Sequence, residues 1–132
     1  MKRIIPFFFF LGIFLIGCGG AQTAMPFTPE PVPVEYTGMT NPLGPEAAAA
    51  GADVFNSSCK SCHGPEGHGD GPASESLNPR PKDLVVLQPQ VGDDYLFWRI
   101  AEGKPGTAMI SWRGILTDEQ IWQLVAFIRT LK

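Results

Sequence analysis

Toward its carboxyl end the chain shows its clearest periodicity: Ile121, Leu124, Val125, Ile128 and Leu131 recur at the three- and four-residue spacing of one helical face. Thr117 and Gln120 have the spacing of a capping box, and Leu116 and Ile121 that of a hydrophobic staple, so a helix is predicted to begin at that threonine. A second helix is predicted from Asp93 or Asp94, as N-cap, through Tyr95, Leu96, Phe97, Trp98 and Ile100 to Gly103 as its stop. Another is announced by Gly44-Pro45-Glu46, with proline at the first helical position and an acid in the first turn, and runs through Ala47 to Ala50, Val54 and Phe55. Between these segments, Gly64 to Pro89 is rich in glycine and proline and is predicted to be a loop that wraps something. No stretch alternates convincingly as a strand. The expected architecture is all-α, with three main helices and a long loop.

The amino-terminal pattern is different. Lys2 and Arg3 precede an almost unbroken apolar run of 14 residues, Ile4 through Gly17, which falls short of the roughly 20 that a spanning helix needs. It reads as a secretory signal over residues 1–17. Leu15-Ile16-Gly17-Cys18 resembles the lipobox of bacterial lipoproteins, which implies a lipid on Cys18 as the first residue of the mature chain. Residues 18–44 carry Pro26, Pro29, Pro31, Pro33 and Pro42 and are expected to form an extended tether, with a reach on the order of 80 Å at about 3.1 Å per residue. Solvated linkers rarely carry as many large apolar groups as Met25, Phe27, Val32, Val34, Tyr36, Met39 and Leu43. Part of the segment is therefore expected to lie along a partner subunit.

Charge narrows the partners. The net charge is −3, and without Lys2 and Arg3 the balance becomes 8 basic against 13 acidic residues, or −5. That balance speaks against nucleic acid and leaves docking of partner proteins through charge open, without identifying the patch. With 132 residues there is room for one small domain plus the non-globular leader.

The chemistry is concentrated in Cys59-Lys60-Ser61-Cys62-His63. Two thiols two residues apart, with a histidine directly after the second, form the attachment site of a c-type haem. Each thiol can add across a porphyrin vinyl group, and the tight spacing places His63 where a neutral imidazole nitrogen binds the iron. A redox dithiol would call for a βαβ context, and a zinc site for a second cysteine or histidine pair downstream; neither is present. With Cys59 and Cys62 on haem and Cys18 on lipid, no thiol is left for a disulfide. About 87 residues make a marginal protein-only core, so one buried haem supplies the missing apolar interior. For the sixth ligand of the iron the candidates are His68 and Met109. His68 is only five residues from His63 and is expected to be exposed, whereas Met109 sits in a glycine-containing loop between two helices. The plainer role for Met109 is packing against aromatics.

From about Glu46 to Lys132 the chain resembles the class I mono-haem cytochromes c. Gly51 and Phe55 precede Cys59 at successive intervals of four, and Leu124, Phe127 and Ile128 match the last-helix residues that pack across that glycine, with Phe where many members have Tyr. The resemblance implies the class I cytochrome c fold around one covalent haem c, with Met109 as distal ligand, although Ile110 stands where a proline often follows. Gly71-Pro72 is similar to the loop proline whose carbonyl accepts a hydrogen bond from the proximal histidine, with Pro79 and Pro81 competing for that role. Trp112, Arg113, Arg80 and Lys82 are candidates to meet the haem propionates, their plainer roles being a packed tryptophan and surface charge.

His/Met coordination leaves no open iron position, so the expected function is single-electron transfer outside the cytoplasm, with no small-molecule substrate. The lipobox, the proline-rich arm and the Gly-Asp-Gly-Pro loop are together similar to the mono-haem lipoprotein subunit of bacterial alternative complex III, a quinol-oxidising assembly. Oxidase-associated cytochrome subunits and a freely shuttling lipid-anchored carrier are the alternatives. A haem peroxidase or gas sensor would need a vacant or labile sixth position.

Overall fold

The computed structural model describes residues 27–132. The signal segment, Cys18 and Met25 lie outside the described residues. Five helices follow in order: α1 (Ala47–Ser58), α2 (Lys60–His63), α3 (Leu84–Leu87), α4 (Asp93–Glu102) and α5 (Asp118–Ile128), with 3-10 turns at Ser74–Ser76 and Gln88–Gln90. Among the described residues there is no strand, and no helix is long and apolar enough to cross a membrane.

The largest packing interface joins α1 to α5. Gly51 makes it possible, because a Cβ there would overlap the Gln123 carbonyl and crowd Phe127. Around this crossing Phe55, Ile121, Leu124 and Val125 are almost completely withdrawn from water, and the Phe55 and Phe127 rings lie 5.0 Å apart, tilted at 49°. The α5 start is as the sequence predicts: Thr117 Oγ1 accepts from Gln120 N at 3.2 Å, and Gln120 Oε1 accepts from Thr117 N at 2.9 Å.

Three boundaries differ from expectation. Pro45 precedes α1, whose N-cap is Glu46, because the chain enters through a tight turn in which Ala47 and Ala48 donate to the Gly44 and Pro45 carbonyls. Helix α4 begins at Asp93 itself, capped by Gly92. Its two acids do not cap it from outside; the Asp94 carboxylate accepts from Gly38 N at 2.9 Å and Asp93 from Asn41 N at 3.2 Å. The loop expected over 64–89 also contains α3, whose N-cap Asp83 accepts from Val86 N at 3.0 Å.

The largest correction concerns the arm. From Phe27 to Leu43 the segment read as a tether lies on the chain's own helical body: Tyr36 is buried, and Phe27, Val32, Met39 and Leu43 pack against the core. Tyr36 donates its hydroxyl to Glu102 and accepts from Arg113 at 2.5 Å, Asn41 donates to the Trp122 carbonyl at 2.9 Å, and Glu30 pairs with Arg99 and Lys104. The physical reason is the one that argued against a passive leash. Most of those apolar groups need cover, and they find it within the chain; of those among the described residues, Val34 alone stays almost fully exposed.

Candidate functional site

Helix α1 runs directly into α2 at Cys59, which is C-cap of the first and N-cap of the second. Cys59 N donates to the Phe55 carbonyl at 2.9 Å, and its own carbonyl accepts from Cys62 N at 3.1 Å and His63 N at 2.9 Å. The two cysteines and the histidine thus share one helical turn. The glycine-rich loop then folds back and donates to the same turn: Gly69 N to His63 O at 2.8 Å, Gly71 N to Cys62 O at 3.2 Å and Ala73 N to Ser61 O at 2.9 Å. This is the wrapping that its composition predicts.

On the other side, the Met109 loop is fixed to the end of α4. Gly103, at φ 66°, both stops the helix and leaves room for the strand of loop behind it, since a Cβ there would collide with the backbone of Met109 and Ile110. Lys104 N donates to Met109 O at 2.8 Å, Met109 N donates to Thr107 Oγ1 at 3.1 Å, and Ser111 Oγ donates to Ala101 O at 2.6 Å. The methionine is therefore held by backbone on both flanks.

These two pieces face one apolar cavity of about 410 Å³, lined by Cys59, Cys62, His63 and Met109 together with Leu77, Pro79, Pro81, Leu84, Tyr95 and Trp112. Its volume lies in the range of small-molecule and cofactor sites. Both thiols are free. Burial, together with the neighbouring Cys62, pushes the Cys59 thiol up to about 12, so as a free group it stays protonated and is a poor redox nucleophile. His63 is pushed down by burial, opposed by its bond to a backbone carbonyl, which keeps the imidazole neutral. Nδ1 lies 3.2 Å from the Lys82 carbonyl; donating there leaves Nε2 for a metal. Two thiols on one turn, an oriented neutral imidazole and a thioether on a shared apolar cavity fit a covalently attached haem.

The other expected residues divide. Arg80, Lys82 and Trp112 line the cavity, whereas Pro72 does not. The expectation that the Pro72 carbonyl serves the proximal histidine is corrected: Lys82, just past Pro81, supplies the acceptor, because the loop's later limb crosses His63. Arg113 is committed to Glu102, at 2.8 Å, and to Tyr36. His68 is exposed as expected and pairs with Asp83 at 3.2 Å. Sequence reasoning missed Tyr95, Arg99, Lys104, Phe27 and Glu30, all of which line the cavity. The available signal was Arg99, a lone charge four residues after Tyr95 inside an otherwise apolar run.

Comparison with known proteins agrees with this geometry. The family described as Cytochrome C oxidase, cbb3-type, subunit III matches residues 46–128. Over 112 residues the chain is 31% identical to the cbb3-type cytochrome c oxidase subunit FixPc of Rhizobium leguminosarum bv. viciae, a stretch covering 84% of this chain and 37% of that protein. A solved structure of the reducing HAO-like protein complex of Kuenenia stuttgartiensis is 28% identical with a TM-score of 0.61, covering 80% of this chain and 51% of that one. Cytochrome cL from Methylophaga aminisulfidivorans is 26% identical with a TM-score of 0.51, covering 64% and 55%. The chain thus spans little more than a third of its curated relative and about half of these structural neighbours.

Proposed function

Because the chain belongs to the family described as Cytochrome C oxidase, cbb3-type, subunit III, and is a c-type cytochrome of the class I fold with one covalent haem c, we propose that it is a membrane-tethered electron carrier fixed within a respiratory complex. The observation that carries the reading is that Cys59, Cys62, His63 and Met109 share one cavity. Bound haem supplies an iron that changes valence by one electron. His63, oriented by its bond to the Lys82 carbonyl, and Met109, on its pinned loop, would hold the iron in a mostly apolar shell. Were both to bind the iron, no open position would be left for a reactant, which favours outer-sphere transfer over peroxidase or gas-sensing chemistry.

The lipobox supports an extracytoplasmic site with the anchor on Cys18. From Phe27 onward the arm is docked on the helical body, which suits a subunit held close to its partners. Two assemblies are compatible: a quinol-oxidising complex of the alternative complex III type, suggested by the lipobox, arm and Gly-Asp-Gly-Pro loop, and an oxidase, favoured by the likeness to FixPc. Mild detergent extraction of native membranes, native gel separation and haem staining test the proposal. Co-migration with a large complex is expected, and the activity of that band, quinol oxidation or oxygen reduction, assigns the assembly. A small free haem band would overturn the fixed-subunit reading. Cys18→Ser is expected to move the stained protein from membrane to soluble fraction; retention in the membrane would overturn the lipid anchor.

A further inference from the structure

Arg99 is the one charged residue buried among the described residues. Its side chain is 10% exposed, its guanidinium stacks 4.0 Å from the Trp98 ring centroid and 5.7 Å from that of Tyr95, and it lines the cavity. Nη1 donates to the Gly103 carbonyl at 2.9 Å and Nη2 to Glu30 at 2.7 Å. Nε has no partner, and it is the buried side-chain polar atom among the described residues of which this is true. A buried guanidinium nitrogen left unpaired is costly. Around it the cavity wall carries Arg80, Lys82, Arg99 and Lys104 against a single carboxylate, Glu30, a surplus of positive charge in a chain whose net charge is negative. A ligand bearing carboxylates would correct both the orphan and the surplus.

We propose that Arg99 is the residue that holds a haem propionate, and that Glu30, on the same guanidinium, makes the docked arm a charge that tunes the haem's reduction potential. This rests on the covalent haem of the family and not on which complex holds the protein. The arm enters the site directly. Phe27 lines the cavity and lies under Lys82, whose Nζ is 5.2 Å from the ring centroid, and Glu30 also binds Lys104. A carboxylate beside the haem favours the ferric state, which carries one more positive charge. By reciprocity, the ferric state must favour the docked arm by the same factor.

The test is potentiometry on the haem-loaded full chain, using preparations with an intact covalent haem spectrum so that a missing cofactor is distinguished from a missing effect. Glu30→Gln is expected to raise the reduction equilibrium constant about threefold, since the carboxylate is half exposed and partly screened; at 59 mV per decade for one electron this is about 28 mV. Glu46→Gln, the same charge change at the start of α1, is the control. A Glu30→Gln potential equal to that of the control overturns the tuning role. Arg99→Gln is expected to lower the potential more than Lys104→Gln, because only Arg99 would lose the propionate; an equal or larger effect at Lys104 overturns that assignment. Should Arg99→Gln fail to load haem, Arg99→Lys serves: one ammonium cannot replace three differently directed nitrogens, so a lowered potential is expected and an unchanged one overturns the claim. Hydrogen exchange over residues 27–36 supplies a readout a merely structural role would not move. Exchange about threefold slower in the ferric than the ferrous protein is expected, and equal rates would overturn the coupling.

Discussion

The crossing of α1 and α5 and the cavity are built from different parts of the chain, the cavity taking only Ser58 from α1 and nothing from α5, and they are closed in different ways. At the crossing, protein alone fills the space: Phe55 and Ile121 are each 1% exposed, and Leu124 and Val125 are fully buried. At the cavity, Cys59, His63, Met109 and Trp112 remain only partly buried around about 410 Å³. One half of the interior is finished by side chains, and the other is shaped for a group the chain must acquire. A domain of this size gains stability from both, so damage to each half is expected to have a different signature.

Phe55→Ala should give the largest loss. It empties the centre of the crossing, and Phe→Ala in a core costs about 3–5 kcal/mol, while the haem absorption spectrum stays where it was because the ring packs on Phe127 and does not line the cavity. Denaturant unfolding of the haem-loaded protein, with the spectrum recorded before the transition, checks both parts; a cost under about 1 kcal/mol would place the dominant core elsewhere. Met109→His acts in the other half. It exchanges a thioether for an imidazole, so the potential falls by part of the ~0.8 V range that axial ligands span, while stability changes less than in Phe55→Ala. If the potential holds, Met109 is a packing residue and not a ligand.

The two halves were also unequally legible. The last helix was legible in the period of Ile121, Leu124, Val125 and Ile128, and its crossing over Gly51 through the resemblance to the class I cytochromes c, since close packing leaves few residue types free at those places. The haem turn was legible because covalent chemistry fixes its spacing. The acceptor for His63 was not, because any carbonyl of a glycine- and proline-rich loop can serve, and backbone acceptors leave no mark in a sequence; Lys82 proves to supply it. Arg99 was hidden inside an apolar helix face, where a charge is expected to be absent or a surface residue. The arm was misread for a related reason: proline content describes backbone shape, whereas docking depends on what Tyr36 and Glu30 meet some 66 to 74 residues later.

The smallest expected effect is a difference in pH response between the arm and the crossing. Glu30 is held below the usual carboxylate range chiefly by its hydrogen bond from Lys104, and Glu102 chiefly by the Tyr36 hydroxyl, with Arg113 adding to it. Both carboxyls are more acidic folded than unfolded, so their contribution is fully present above the unfolded value, about 4.3, and is lost as pH falls through the lower folded values. Tyr36 is pushed up, first by burial and then by Glu102; its contribution is present below about 10 and lost as pH rises through the folded value. Arm docking should therefore be flat across neutral pH and loosen in acid below about 4 and in strong alkali. The α1–α5 crossing, whose buried side chains Phe55, Ile121, Leu124 and Val125 carry no titratable group, should not respond in that order. Hydrogen exchange corrected for intrinsic pH dependence separates the regions, with the Tyr36 and Met39 amides, bonded to Pro33 and Tyr36 carbonyls, reporting on the arm and those of α5 on the crossing. Loosening of α5 before the arm on acidification would show that these ion pairs do not set the arm's docking.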